Sequence, residues 1–427
     1  AGTTVENFGV GSSVTIQGRK ASITPSSALN QGETYHISYP SGAFTNTSGD
    51  VDYVGTAYTF GVEVINYEYW MVGKNDEGQL GQNNTTDYSS PVQVPGNWGA
   101  FTQGNSQGID SYGAFNLAVK ANGTLWAWGR NNQGQLGQNN ETKYSSPVQI
   151  GSDADWGGAK DLSIVAMAGA IKSDGTLWVW GNNGNGMLGL NESVNADKSS
   201  PVQLPGSWSK LGGGHNHSIA VKTDGTLWSW GYNGAGSLGQ NDRTHRSSPV
   251  QIPGTTWSRP AASASGVGGC IKTDGTLWTW GANPSGVLGL NNTTSYSSPV
   301  QVPGTTWDNI STWEKGFLAT RTDGTLWTWG ESDCGALGLN DGATIRISSP
   351  TQIPGTTWKH AAMGQQQGVA VRTDGTLWAW GNNETGQLGQ NSQGPSANRS
   401  SPIQIPGVSN ARFVDSDKNL IKWYVEV

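Results

Sequence analysis

The stretch Thr223 to Trp257 constrains this chain more than any other: TDGTLWSWGYNGAGSLGQNDRTHRSSPVQIPGTTW. Close copies begin at Thr273, Thr322 and Thr373, earlier ones at Ala121 and Ser173, and a worn copy near Tyr67. The glycine after the tryptophan pair marks the period: Gly73, Gly129, Gly181, Gly231, Gly281, Gly330 and Gly381, spaced 56, 52, 50, 50, 49 and 51 residues apart. A unit of that size cannot bury its apolar face alone. Seven in series predict a solenoid or a propeller rather than an array of separate domains.

Each unit has one internal grammar. A first strand, as in Trp208-Ser-Lys-Leu211, precedes a second, Ser218-Ile-Ala-Val-Lys222, which runs into Thr223-Asp-Gly225. Asp-Gly between apolar runs predicts a hairpin with a type I′ turn. The third strand is Thr226-Leu-Trp-Ser-Trp230, and after a Gly-rich loop ending in Leu238-Gly239 a fourth, Pro249-Val-Gln-Ile-Pro253, closes the unit. Four short antiparallel strands per unit describe a propeller blade. Along the third strand Trp228 and Trp230 share one face and Leu227 and Ser229 the other, so the strand is expected to be buried on both sides, between blades. Of the 21 Trp, only Trp313 and Trp423 stand outside repeat positions, which provides a packed core despite 63 Gly.

The ends complete the ring. Blade one enters at its third strand, residues 67–72, whereas residues 411–414 and 419–427 read as the first two strands of a blade that does not continue. Joined, head and tail form one blade. Such closure leaves no exposed sheet edge and predicts seven blades in a closed ring. Residues 1–63 carry no copy of the repeat. Residues 33–39 alternate, with Tyr35, Ile37 and Tyr39 on one face, and residues 56–60 form a second strand candidate. Pro40-Ser-Gly42 and Thr47-Ser-Gly-Asp50 are turn clusters. The chain is thus read as all-β, with a small β-segment at 1–63 and a propeller at 64–427. It has neither an initiator Met nor a signal peptide, and reads as a mature or trimmed piece.

The unit TDGTLWSWGYNGAGSLGQ…SSPVQIPG resembles the regulator of chromosome condensation (RCC1) repeat over roughly residues 65 to 427. That resemblance implies a seven-bladed propeller closed by strands from both ends, and no single activity: members include a chromatin-bound nucleotide-exchange factor, an ultraviolet receptor built on Trp and a protein inhibitor of β-lactamase. The run LNQGETYHISYPSGAFTNTSGD…YTF resembles the second half of a bacterial immunoglobulin-like domain of surface-layer proteins, with Asn46-Thr-Ser-Gly49 in place of the usual Asp before a Gly-Asn turn. It implies that the first half of the sandwich is missing and that the chain is part of something longer. QNNTTDYSSPVQVPG (82–96) and PSGAFTNTSGDVDYVGTAYTF look like structural proteins of marine bacteriophages.

Several chemistries are disfavoured by the residues themselves. The net charge is -7 with no Lys/Arg run, so phosphate neutralisation along nucleic acid is not expected, nor is a chromatin role. The Gly-Trp-Arg-His-Thr motif of the ultraviolet receptor is absent. No apolar run approaches a membrane-spanning length. His215 and His217 in Gly-Gly-Gly-His-Asn-His occur in one blade only and lack a third ligand nearby, so they read as a loop pair rather than a metal site. The repeated Asp174, Asp224, Asp274, Asp323 and Asp374 are explained by turn geometry before calcium, and Asn131-Asn132 and Asn139-Asn140 likewise are turn formers first. Cys270 reads as a small core residue and Cys334 as a loop residue, with no disulfide between them. No Gly-x-Ser-x-Gly elbow or phosphate loop is present. Paired carboxylates contributed by different blades would be invisible at this level, but the blades are nearly interchangeable, and neither an enzyme nor a cofactor is implied.

What differs between blades is the connection after Leu-Gly (83–88, 191–198, 241–246, 340–347, 391–399) and the loop before the second strand (212–217, 263–268, 311–316, 364–368). Variable tips on a constant scaffold read either as binding surface or as drift of solvated loops. Trp313, with Glu314 and Lys315 beside it, is the expected exposed contact. Function is expected to be that of a non-enzymatic virion structural or appendage protein of a bacteriophage, its propeller binding a host-surface glycan or protein or other virion proteins, and its N-terminal segment joining a larger assembly. The alternative is a bacterial cell-surface or secreted adhesion module.

Overall fold

The computed structural model describes residues 67–427 apart from 100–113, 157–160, 165–166, 193–194, 264, 314, 342–344 and 418, together with four strands before residue 66. The chain divides into two compact units, Ala1–Ile65 and Asn66–Val427. In the first, Val14–Gln17 pairs antiparallel with Lys20–Ile23, and Thr34–Ile37 pairs with Tyr58–Gly61, Tyr35 opposite Phe60. The second pair matches the two strands read from the sequence. The first has no counterpart in that reading, and the turn clusters at 40–42 and 47–50 lie outside the described residues.

The second unit is a ring of seven sheets. Five are four-stranded with strands in chain order, beginning at Asp161, Trp208, Trp257, Trp307 and Trp358; these are blades three to seven. Blade two shows three strands, Phe115–Val119, Leu125–Gly129 and Tyr144–Gln149, and a bridge from Trp98 to Lys120 marks where its first strand enters. Blade one is composite: Ala411–Ser416 and Leu420–Glu426 pair with Tyr67–Gly73 and Tyr88–Trp98. Head and tail therefore share a sheet, as the pattern at the two ends implies.

The repeated letters have separate structural duties. In blade four, Gly225 N donates to Lys222 O, Lys222 N donates to Thr226 O, and of the turn residues only Gly225 has positive φ, at 79°. This is a three-residue loop with Gly in the left-handed position, not the type I′ turn expected from Asp-Gly. Asp224 is needed for its side chain: its Oδ1 accepts Thr226 N and Thr226 Oγ1 at 3.0 and 2.6 Å. Thr226 Oγ1 in turn accepts Trp228 Nε1 at 2.8 Å. The motif Asp-Gly-Thr-Leu-Trp is thus one hydrogen-bonded relay, repeated at Asp174, Asp274, Asp323 and Asp374.

The rest of the motif joins blade to blade. Trp230 is fully buried and donates its indole N–H to Met187 O of the preceding blade at 2.7 Å. Trp128, Trp180, Trp280, Trp329 and Trp380 do the same to the carbonyls of Gln79, Gln135, Ser237, Val287 and Ala336. Gly189 lets Trp230 approach: its φ is +74°, and a Cβ there would lie 2.8 Å from Trp230 Nε1. That accounts for the constant Leu-Gly. An Asn after it, in the left-handed conformation, donates its backbone N–H to the outer strand of the next blade: Asn83 to Ser145, Asn139 to Ser199, Asn191 to Ser247, Asn241 to Ser297, Asn291 to Ser348, Asn340 to Ser400. Asn391 to Ser89, at 2.9 Å, closes the circle. The Asn-rich loops and the Ser-Ser-Pro strands are the two halves of this clasp.

Candidate functional site

The structure corrects the contact predicted in blade six. Trp313 is 1 % exposed and packs with Leu318, Leu337, Met363 and Trp380, so it is a core residue and not an exposed aromatic. A single Trp in a polar loop looks like a ligand platform in sequence, but here it folds back into the junction of blades six and seven. Glu314 lies outside the described residues. Lys315 is half-exposed, and its Nζ lies 2.7 Å from Glu331 Oε1. Glu331 is the residue that the sequence did not reveal. Its side chain is 7 % exposed, its Oε2 accepts Arg346 Nε at 3.0 Å, and it also accepts the Ser285 hydroxyl of blade five. Lys315 and these partners hold its carboxyl well below the usual range, at about 2, despite burial. Blade six alone places Glu here; the matching positions in blades four, five and seven are Tyr232, Ala282 and Asn382.

The histidines also separate. His217 is a strand residue, 1 % exposed, whereas His215 is half-buried beside Asn216. Among the described residues no group of three or more His, Cys, Asp or Glu is placed to hold a metal. Burial, with a smaller contribution from the neighbouring His215, pushes the His217 imidazole down to about 4. Burial, then Arg259 and Lys359, does the same to His360. Both folded values lie below the ordinary value of about 6.5, so the unfolded chain binds more protons as the pH falls. Stability is therefore full above about pH 6.5 and declines until about pH 4. His217→Gln and His360→Gln are each expected to flatten that decline, by about 2 kcal/mol at pH 5. Urea midpoints at pH 7 and 5 measure it; identical wild-type and variant slopes would show that the imidazoles are hydrated.

A recurring cationic arrangement was not read from the sequence either. The residue that ends each second strand or directly follows it, always Lys or Arg in blades two to seven, lies over two indoles: that of the Trp at or just before the start of the first strand and that of the first Trp of the pair. Lys222 sits 5.1 Å from the Trp208 ring and 3.7 Å from Trp228, Lys272 4.5 and 4.6 Å from Trp257 and Trp278, and Arg321 4.2 Å from both Trp307 and Trp327. Lys120, Lys172 and Arg372 complete the set. Each contact is worth roughly 0.5–2 kcal/mol depending on desolvation. The signal was present in the sequence as Lys/Arg before every Ser/Thr-Asp-Gly. In blades four and five a cleft opens beside such a clamp, about 350 Å³ in volume and lined by Gln240, Asn241, Trp257, Lys272, Trp278 and Pro299 among others.

Cys270 is buried in its strand, which pushes its thiol up to about 12, and both cysteines are free thiols. Among the described residues no helix is long and apolar enough to cross a membrane.

Comparison with known proteins places this geometry. The model of the regulator of chromosome condensation (RCC1) repeat matches residues 122–166, 174–221, 224–270, 274–310, 323–371 and 374–416. Prp20p from Saccharomyces cerevisiae superposes with a TM-score of 0.72 at 19% identity, covering 86% of this chain and 93% of that one. Human WBSCR16 gives 0.68 at 18%, covering 84% and 98%. Among curated proteins, the ultraviolet-B receptor UVR8 of Arabidopsis thaliana is 28% identical over 144 residues, 34% of this chain and 29% of the receptor. Human Protein RCC2 is 33% identical over 119 residues, 25% and 22% of the two chains. The matched segments span less than a third of either curated relative. With its repeats matched over more than half its length, the chain belongs to the family of regulator of chromosome condensation repeat proteins.

Proposed function

We propose that this protein is a non-enzymatic structural or appendage protein of a bacteriophage virion, presenting its propeller as a binding surface to the host or to other virion proteins. The observation that carries the binding half of this reading is the division of labour among residues. The recurring Trp, Asn and Ser hold neighbouring blades together and the recurring Asp ties each turn, while blade-specific groups such as Glu331, Lys315 and Arg346 gather where the loops vary. A rigid ring with variable tips suits recognition. The solved structure of Prp20p is described with its binding to Gsp1p and histones, which supports treating such a ring as a docking platform. The virion half is supported by the likeness of QNNTTDYSSPVQVPG and the preceding segment to phage structural proteins, and by an acidic composition that disfavours nucleic-acid binding. The N-terminal unit, read as part of an immunoglobulin-like domain, supplies the joint to a larger assembly.

Mass spectrometry of density-purified virus particles from the source culture tests the reading. Peptides of this chain are expected to follow the capsid peak, and their ratio to capsid separates a fibre from a decoration. Peptides that remain with cells or medium would sink the virion assignment in favour of a bacterial surface or secreted adhesion module.

A further inference from the structure

We propose that the cleft at Trp257, Lys272 and Trp278 binds a carboxylate-bearing sugar, a hexuronate unit of an acidic polysaccharide. The proposal rests on the protein being a binding propeller, but not on which particle carries it.

The chain itself shows what this site accepts. In blade three the clamped cation Lys172 meets two carboxylates, Asp153 at 3.2 Å and Asp155 at 2.8 Å. Both come from the loop that leads into Trp156, the first indole of that clamp. Blade five builds the same clamp from Trp257, Lys272 and Trp278, but its loop reads Pro253-Gly-Thr-Thr-Trp257 and holds no acid. Among the described residues no carboxylate lies within ion-pair distance of Lys272, and the space beside it is the 350 Å³ cleft. Blade three is the only blade whose loop brings acids to its clamp, and at blade five the half-buried ammonium borders a cleft from which an external carboxylate can reach it.

The walls indicate a sugar. Trp278 and Pro299 offer flat apolar surface suited to the C–H face of a pyranose, and the volume is at the lower end of small-ligand clefts. Trp257 is 3 % exposed, and its indole N–H has no acceptor among the described residues. Its counterparts Trp208 and Trp358 donate theirs to the carbonyls of Pro205 and Pro354, at 3.3 and 3.2 Å, whereas Trp307 of blade six, after the same Pro-Gly-Thr-Thr loop, shares the unpartnered N–H but not the cleft's lining. Thr256, just before Trp257, holds φ at +68°, as Thr306 does at +69° in blade six, so this conformation belongs to the Pro-Gly-Thr-Thr loop itself. The overall charge of -7 opposes indiscriminate adsorption of polyanions, so binding has to come from the local cation.

The test is calorimetric titration of the whole chain with tetragalacturonate, with neutral cellotetraose and tetraglutamate as controls. Saturable binding of the uronate alone is expected. Lys272→Met is expected to weaken it by about tenfold or more, the worth of a charge-assisted hydrogen bond, and Lys272→Arg to retain it. Thr256→Asp places an acid where blade three has Asp155; it leaves the cation in place, suits the left-handed backbone better than Thr, and is expected to block the site as fully as Lys272→Met. No saturable uronate binding, or binding unchanged in Lys272→Met and Thr256→Asp, overturns the proposal. Equal affinity for tetraglutamate overturns the sugar assignment. None of these outcomes alters where the chain is found in the particle assay, so the two readings fail separately.

Discussion

Lys422→Met is expected to destabilise the propeller by about 3–5 kcal/mol, the cost of breaking a buried ion pair from one side. Lys422 is on the second strand of the composite blade, at the position that Leu117, Ile219, Leu318 and Val369 fill elsewhere. Its side chain is 3 % exposed, and its Nζ lies 2.9 Å from Asp415 Oδ2. It also donates to Asn116 Oδ1 of blade two at 3.2 Å, and Asn116 Nδ2 donates to Gln79 O at 2.7 Å. One ammonium thus links the C-terminal strands, blade two and the blade-one loop at the seam of the ring. Burial alone would lower its pKa, but Asp415, Tyr69 and Asp417 raise it above the ordinary value. Because the folded value is the higher one, the stabilisation is complete below the unfolded value of about 10.4 and is lost only as the pH climbs through the folded value.

The double variant Lys422→Met, Asp415→Leu separates pairing from packing. With both charges removed, most of the loss is expected to be recovered, since apolar replacement of a buried pair is often neutral or stabilising. Urea midpoints of the three proteins decide the matter. A loss below about 1 kcal/mol in the single variant is the size expected of an exposed pair, and would mean that water reaches the seam. The pair's contribution is then best understood as register: an apolar residue at 422 would match those that blades two, four, six and seven carry there, whereas Lys422 requires Asp415 and Asn116 and so fits only the junction of head and tail.

That seam shows where sequence reading stops. The ring and its closure were legible because they are written as repetition: a marker Gly every 49 to 56 residues and two half-blades at the ends. The Lys422–Asp415 pair is written once, so nothing in the repeat announces it. The same holds for Glu331, which lies 16 residues from Lys315 along the chain and meets Ser285 of another blade. Trp313 failed in the opposite direction. Its loop is polar in sequence, yet the gap between blades six and seven receives its ring, because local polarity does not report what lies across a blade boundary. The Asp-Gly turn failed for a more local reason. The dipeptide specifies a hairpin, but Asp224 is retained to accept Thr226, and the left-handed residue is Gly225 alone.

The two tryptophans of each pair look equivalent in sequence, yet their replacement is expected to have unequal effects. Trp230 is fully buried among Met167, Leu188 and Leu211, edge-on to Trp208 at 5.9 Å, with its N–H on Met187 O. Trp230→Ala removes a large core ring, at about 3–5 kcal/mol, and leaves a buried carbonyl without its donor, at about 1–3 kcal/mol more. Trp228, two residues away on the same face, is only half-buried. It donates within its own turn to Thr226 and lies under Lys222 at 3.7 Å. Trp228→Ala is expected to cost about 1–2 kcal/mol, mainly the cation contact and part of the ring's burial. Trp230→Phe is the discriminating variant, since it keeps most of the ring and loses the hydrogen bond, and should fall between the two. Blade four is bounded on both sides by like blades, so the effect reports the junction between blades three and four rather than the seam. If the two alanine variants shift the urea midpoint equally, the indole-to-carbonyl bond does not hold neighbouring blades together, and the clasp from Asn to Ser carries that role instead.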